Sequence, residues 1–222
     1  HHQLPTTATL TAGRRIRLLE LARRHRLIVL EDDYDHEFRY AGPPVLPLAH
    51  LDRAGVVVYF GTLSKVVAPG LRLAFVVAPP AAIDRIAAYR AYVDHQGDHV
   101  AERAVADLIE DGELDRHLRR MVRTYAARRD ALADALAREL PLLELTLPSG
   151  GMAVWARAPG IDVDRWAERA LAAGVSFQPA SHFACGDVPL DCLRLGFAAC
   201  DEAELAEAVR IMKRTLPRGR RP

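Results

Sequence analysis

The sequence predicts an α/β fold in which a layered α/β unit is followed by a smaller α+β unit. Two observations carry this reading. In the first half, short continuous apolar runs end in polar residues, the pattern of buried strands in a helix-covered sheet. In the second half, long helical patterns are followed by short mixed strands and two further helices, the composition of an α+β layer.

The elements follow in order. A helix is expected from about Thr11 to His25, with Ile16, Leu19 and Ala22 at helical spacing, Thr11 as its cap and a sheet beneath it. Leu27–Leu30 reads as a buried parallel strand ending in Glu31, Asp32, Asp33 and Tyr34. Val56–Phe60 repeats the pattern, and Leu71–Val77 supplies a third strand. Helices are then expected over Ala81–Tyr92, His99–Glu110 and Leu114–Leu140, the last carrying Leu118, Met121, Tyr125, Leu132 and Leu136. A helix of that length often passes between domains. Leu142–Leu147, Gly151–Trp155, Val175–Phe177 and Cys192–Phe197 read as strands, with helices over Val163–Ala172 and Glu202–Leu216. The expected division is residues 1–110 and residues 111–222.

Composition narrows the function classes. The 222 residues carry a formal net charge of +1, with arginines and acids interleaved, which speaks against a nucleic-acid groove. Arg218, Arg220 and Arg221 form a short basic tail that reads as a solvated terminus. Cys185, Cys192 and Cys200 lack tight metal spacing and fit unbridged thiols in a reducing compartment; no metal site is expected. With no signal peptide and no apolar run of spanning length, the expected location is the cytoplasm, without a membrane partner.

Only two lysines occur, Lys65 and Lys213. Lys213 sits in a basic C-terminal helix, whereas Lys65 follows a strand in Gly61-Thr62-Leu63-Ser64-Lys65 and precedes the turn Pro69-Gly70. Arginine cannot replace a lysine that must shed its proton and attack a carbonyl, so Lys65 is the candidate for covalent chemistry. Around it, Thr62 and Ser64 offer hydroxyl donors, and Arg72 offers a two-pronged fork for an anion. At the end of the neighbouring strand, the Asp32 carboxylate could hold a proton on a heteroaromatic nitrogen and the Tyr34 phenol could donate to a ring oxygen. Together these are the contacts that pyridoxal 5'-phosphate demands. Each residue has a plainer alternative. Asp32 and Asp33 could satisfy loop amides, Tyr34 and Tyr40 could be packing residues, and Arg72 could pair with Glu31 or Asp33.

The segment Glu31–Tyr40, the run Gly61–Lys65 and the run Pro69-Gly70-Leu71-Arg72-Leu73 resemble the class I/II aminotransferases of fold type I. More narrowly, with His2-Gln3-Leu4-Pro5-Thr6, they are similar to the aminotransferase-like domain of MocR-type regulators in the GntR superfamily. The resemblance extends over essentially the whole chain. It implies the C-terminal portion of a fold type I transferase, with part of a three-layer α/β large domain plus an α+β small domain. Lys65 is then the lysine that carries pyridoxal 5'-phosphate and later works as a general base, Asp32 binds the pyridine nitrogen, and Tyr34 meets the ring hydroxyl. Thr62, Ser64 and Arg72 hold the phosphate, and Arg194 in Leu193-Arg194-Leu195-Gly196-Phe197 grips a substrate carboxylate. Without the resemblance, Arg194 is an arginine on an apolar strand, equally explained by an ion pair.

The resemblance further implies a homodimer and an amino acid, or another amine bearing a carboxylate, as ligand. The family's upstream half and the regulators' N-terminal winged helix have no counterpart in the 222 residues, so any DNA binding is expected from outside this segment. Leu4 stands where aminotransferases have asparagine, which shifts reliance for the ring hydroxyl onto Tyr34 and leans toward the regulatory branch. Three readings remain open: the effector domain of a regulator, part of a stand-alone amino-acid aminotransferase, or a non-catalytic partial homologue without cofactor. A nucleotide-binding domain is disfavoured, because no Gly-rich fingerprint follows an early strand.

Overall fold

The computed structural model describes residues 2–43, 45–186 and 190–217. The basic tail Arg218, Arg220 and Arg221 lies outside the described residues. The chain forms two compact units. One contains Thr9–Glu37 and Gly42–Arg120; the other contains His2–Ala8, Phe38–Ala41 and the chain from Met121 onward.

The first unit is built on a three-stranded sheet of order β1-β2-β3, with β1 Val29–Asp33, β2 Val57–Thr62 and β3 Ala74–Val77. Strands β1 and β2 are parallel, whereas β3 returns antiparallel to β2. The reversal follows from chain length: the link from Thr62 to Ala74 holds a turn and a short 3-10 helix, Pro69–Leu71, with no crossover helix of the kind a parallel return needs. The expected third strand accordingly begins at Ala74 instead of Leu71, since Pro69–Leu71 is spent on the 3-10 turn.

Three further expectations for this unit are corrected. The first strand runs Val29–Asp33, two residues later than expected, and Leu27, Ile28 and Leu30 are exposed. Pairing with Val56–Gly61 starts at Val29, and among the described residues β1 has a strand neighbour on one side only. Helix α1, Ala12–His25, begins after Thr11, but the Thr11 hydroxyl makes no capping bond. Its buried positions are Arg15 and Ala22, while Ile16 is exposed; the Arg15 guanidinium reaches the Leu46 carbonyl. A short helix α2, Leu48–Leu51, precedes β2 and was not expected; the Glu31 carboxylate accepts from the Leu48 and Ala49 amides at 2.7 and 3.0 Å, satisfying its open N-terminus. Helices α3, Pro80–Val93, and α4, His99–Glu110, agree with expectation to within a residue, and Asp98 caps α4 through the Val100 and Ala101 amides.

Helix α5, Glu113–Glu139, starts in the first unit and continues into the second. In the second unit, strands β4 Glu144–Leu145, β5 Ala153–Arg157, β6 Gln178–Pro179 and β7 Cys192–Gly196 form an antiparallel sheet of order β4-β5-β7-β6. The strand expected at Val175–Phe177 is displaced to Gln178–Pro179, and Phe177 instead packs edge-on against Trp166 at 5.2 Å between ring centres. Helices α6 Val163–Ala172 and α7 Glu202–Thr215 cover one face. The core joins Leu132 and Leu136 of α5, Val154 of β5, Leu193 and Leu195 of β7, Trp166 and Val209. Trp166 is fully buried and its indole N–H donates to the Met212 carbonyl at 2.9 Å, so Trp166→Ala is expected to cost about 3–5 kcal/mol. A capping box between Asp201 and Glu204, each bond 2.8 Å, fixes where α7 begins.

Among the described residues no helix is long and apolar enough to cross a membrane.

Candidate functional site

Three consecutive acids end β1, and strand alternation sorts them. Register pairs Glu31 with Tyr59, Asp32 with Phe60 and Asp33 with Gly61. Side chains on a strand alternate between faces, so Glu31, Asp33, Tyr59 and Gly61 share one face, while Asp32, Phe60 and Thr62 share the other. On β1 and β2 the first face is buried: Asp33 is 1% exposed and accepts from the Tyr59 hydroxyl at 3.1 Å. Glu31 is committed to the start of α2. Asp32 is exposed, and its carboxylate has no partner among the described residues.

Behind the strand end lies a polar cluster. His36 Nδ1 stands 3.4 Å from Asp33 Oδ2, 3.3 Å from Glu37 Oε2 and 3.4 Å from the Tyr59 hydroxyl. Burial pushes the Tyr59 phenol well above its usual range, and the adjacent Asp33 carboxylate pushes it further. Burial likewise raises Glu37, with His36 opposing. Tyr34 is half-buried beside this cluster in sequence.

Across β2, Gly61 makes room for an aromatic ring. A Cβ there would lie 2.2 Å from the Phe75 ring, which crosses over this position from β3. Phe75 and Tyr59 are in turn ring neighbours at 6.0 Å. The end of β2 is thereby held on this side by packing, and Thr62 is presented on the other.

Lys65 lies in the tight turn that follows. The Leu63 carbonyl accepts from the Val66 and Val67 amides at 3.2 and 2.8 Å, and the Leu63 amide donates to the Leu73 carbonyl at 3.0 Å. The Thr62 hydroxyl accepts from the Ser64 amide at 3.1 Å and stands 3.4 Å from the Leu73 carbonyl, so it serves the turn itself. Ser64 is buried and Lys65 exposed, and the Lys65 ammonium has no partner among the described residues. Lys213, by contrast, is ion-paired with Glu139 at 2.9 Å. Arg72 closes the 3-10 helix with a left-handed backbone, φ 51°, uncommon for a residue other than glycine, and turns the chain toward β3. It is exposed and pairs with neither Glu31 nor Asp33.

In the second unit, Arg194 stands on β7 opposite Trp155 and Gln178, on the face away from Leu193 and Leu195. One terminal nitrogen donates to Gln178 Oε1 at 3.1 Å, and the buried Nε has no hydrogen-bond partner. Arg194 thus makes no ion pair among the described residues. Tyr40 is a packing residue of this unit: its hydroxyl donates to the Gly151 carbonyl at 2.5 Å and Arg129 lies over its ring.

The sheet therefore brings Asp32 and Thr62 onto one face, with Lys65 three residues beyond Thr62, and places Arg194 on the separate second unit. Sequence reasoning missed Tyr59, His36 and the Gly61–Phe75 fit. Tyr59 sits two residues before Gly61 in an apolar run, and only the register shows that it faces Asp33.

The family described as aminotransferase class I and II matches residues 5–212. An aromatic-amino-acid aminotransferase of Thermococcus litoralis is 35% identical over 96% of this chain and 52% of its own length. A probable rhizopine catabolism regulatory protein, MocR, of Rhizobium meliloti is 33% identical over 95% of this chain and 43% of its own. Among solved structures, a multiple substrate aminotransferase of Thermococcus profundus matches with a TM-score of 0.89 and 35% identity over 97% of this chain and 54% of that one. The α-aminoadipate aminotransferase of Thermus thermophilus, solved with N-(5'-phosphopyridoxyl)-L-leucine, gives 0.89 and 33% over 97% of this chain and 56% of that one. The chain spans about half the length of the relatives it matches. By sequence over nearly its full extent and by the architecture of both units, the chain belongs to the class I and II aminotransferases of fold type I, a family whose members here include helix-turn-helix regulators.

Proposed function

We propose that the chain is a pyridoxal 5'-phosphate-binding domain of aminotransferase type that takes an amino acid, serving as the effector domain of a MocR-type regulator. The observation that carries this reading is a division of labour. Glu31, Asp33 and Lys213 are engaged internally, whereas Asp32, Lys65 and Arg72 have no partners of their own among the described residues. An exposed carboxylate on the Thr62 face, a buried Ser64 and an uncommitted lysine and arginine fit the demands of that cofactor.

When bound, pyridoxal phosphate supplies an aldehyde that condenses with amines and a ring that accepts electron density from the carbon beside the nitrogen. Asp32 keeps the proton on the ring nitrogen by placing a negative charge beside it. Tyr34 donates its phenolic proton toward the ring oxygen. Ser64 and Arg72 bind the phosphate, and Thr62 fixes the turn that presents them. Lys65 would hold the cofactor through its aldehyde and would serve as the general base toward the proton on the ligand's Cα. Arg194 grips the ligand carboxylate; a guanidinium whose Nε is buried without a partner has hydrogen-bonding capacity to offer.

The MocR relative and further helix-turn-helix regulators support the regulatory assignment, as does Leu4 in place of asparagine. A part of a stand-alone aminotransferase is the second reading, favoured by the Thermococcus litoralis relative. The full-length protein, as a homodimer, is expected to change its absorption between 300 and 500 nm (roughly the range of cofactor-bound bands) when amino acids are titrated in. Following keto-acid release in the same titration, with a second keto acid added as amino-group acceptor, separates the readings: a spectral change without turnover supports the regulator, and multiple turnovers support the enzyme. No cofactor absorption in the purified full-length protein would overturn both.

A further inference from the structure

The turn that carries Lys65 is held from outside the β2–β3 hairpin by one imidazole. His117, in the first full turns of α5, places Nε2 2.9 Å from the carbonyl oxygen of Val66, the residue that follows Lys65. Its other ring nitrogen, Nδ1, lies 3.2 Å from a terminal nitrogen of Arg120. A guanidinium has donors only, so Nδ1 must accept, which leaves the proton on Nε2 and makes Nε2 the donor to Val66. Arg120 therefore selects the tautomer that the Val66 carbonyl requires. Val66 itself is 3% exposed, so its side chain is anchored while its carbonyl is tied to α5.

The local bonds of this turn all run within residues 62–73: Ser64 to Thr62, Val66 and Val67 to Leu63, Leu63 to Leu73. They set the shape of the turn, and none of them ties it to the helix layer. We infer that His117 is a positioning residue, with Arg120 fixing its tautomer, that sets where Lys65 is presented. This rests on the assignment of Lys65 as the cofactor lysine. A shift of about 1 Å in a reacting group can cost on the order of 100-fold in rate. Loss of one tether in a turn with several other bonds is expected to cost less, about 10-fold.

The test uses the full-length protein and two variants. His117→Phe keeps the ring and removes both nitrogens; His117→Gln places an amide donor near the position of Nε2. Nitrogen-15 spectra of the cofactor-free wild type are expected to show the Nε2–H tautomer, and hydrogen exchange at the 65–67 amides is expected to rise about 10-fold in His117→Phe and return in His117→Gln. Labelling of Lys65 by pyridoxal phosphate followed by borohydride is expected to slow about 10-fold in His117→Phe, with rescue by Gln. An Nδ1–H tautomer, or unchanged exchange and labelling in a folded His117→Phe, would overturn the inference. If His117→Phe does not fold, the wild-type tautomer and equal labelling by wild type and Gln variant decide. If wild-type Lys65 is not labelled at all, the cofactor assignment fails, and with it the part of the inference that concerns Lys65, while the tautomer and exchange results still report on the tether.

Discussion

The Tyr59 hydroxyl donates to the Asp33 carboxylate at 3.1 Å across the parallel pair β1 and β2. That bond decides between two adjacent aspartates. It binds Asp33 into the face where Tyr59 is buried, and alternation then turns Asp32 to the face of Thr62.

The two aspartates are accordingly expected to fail differently. Asp33→Ala removes a buried acceptor and leaves the Tyr59 hydroxyl with only the longer contact to His36 Nδ1, 3.4 Å away, a loss of about 1–3 kcal/mol that thermal unfolding would register. Asp32→Ala is expected to leave unfolding within about 0.5 kcal/mol while weakening cofactor retention in a titration with pyridoxal phosphate. Equal loss of retention with equal loss of stability in both would show that the strand end acts as a unit.

Tyr59 gives the protein an alkaline liability. Its folded phenol lies above the unfolded range, so its contribution is fully present below pH of about 10, the ordinary phenol value, and is lost as pH climbs through the folded value. Tyr59→Phe is expected to lower stability near neutrality by about 1 kcal/mol. The gap between wild type and variant is expected to narrow in melting curves taken from pH 8 to pH 11 (approximate limits chosen around the phenol range). A constant gap would contradict the account.

Gly61 tests the packing beneath the site. Gly61→Ala drives a methyl into the Phe75 ring and is expected to cost about 1–3 kcal/mol; adding Phe75→Leu is expected to recover part of it. Additive losses in the double variant would mean that the ring is not the obstacle.

Much of this was legible in the sequence, for identifiable reasons. Helix α6 at Val163–Ala172 was readable because its apolar stripe is buried as Val163, Trp166 and Ala170, at helical spacing. The candidate site residues could be named because rare residue types marked them, above all the two lysines. What was hidden depends on register and on long-range contacts. Whether Asp32 or Asp33 faces outward needs the pairing with Phe60 and Gly61, and a shift of one residue reverses it. In α1 the expected stripe holds at Ala22, but its first position moves from Ile16, which is exposed, to Arg15, because an arginine can bury its stem when its head reaches a carbonyl. No local pattern announces that His117 reaches Val66.

The two arginines are expected to separate ligand recognition from cofactor retention. Arg194→Lys in the full-length protein should keep the cofactor band and lose most of the response to amino acids, because a point charge cannot reproduce the fork. Arg72→Lys should lower cofactor occupancy before any ligand is added. An unchanged amino-acid response in Arg194→Lys, followed at the cofactor band, would reject the carboxylate role.

The central claim is that Lys65 carries the cofactor. Borohydride reduction of the full-length protein with pyridoxal phosphate, followed by peptide mapping, tests it most directly, because Lys213, paired with Glu139, is an internal control within these 222 residues. The account predicts a single phosphopyridoxyl adduct within this segment, on the peptide containing Ser64-Lys65-Val66; an adduct on Lys213 instead, or no adduct on either lysine, would contradict it.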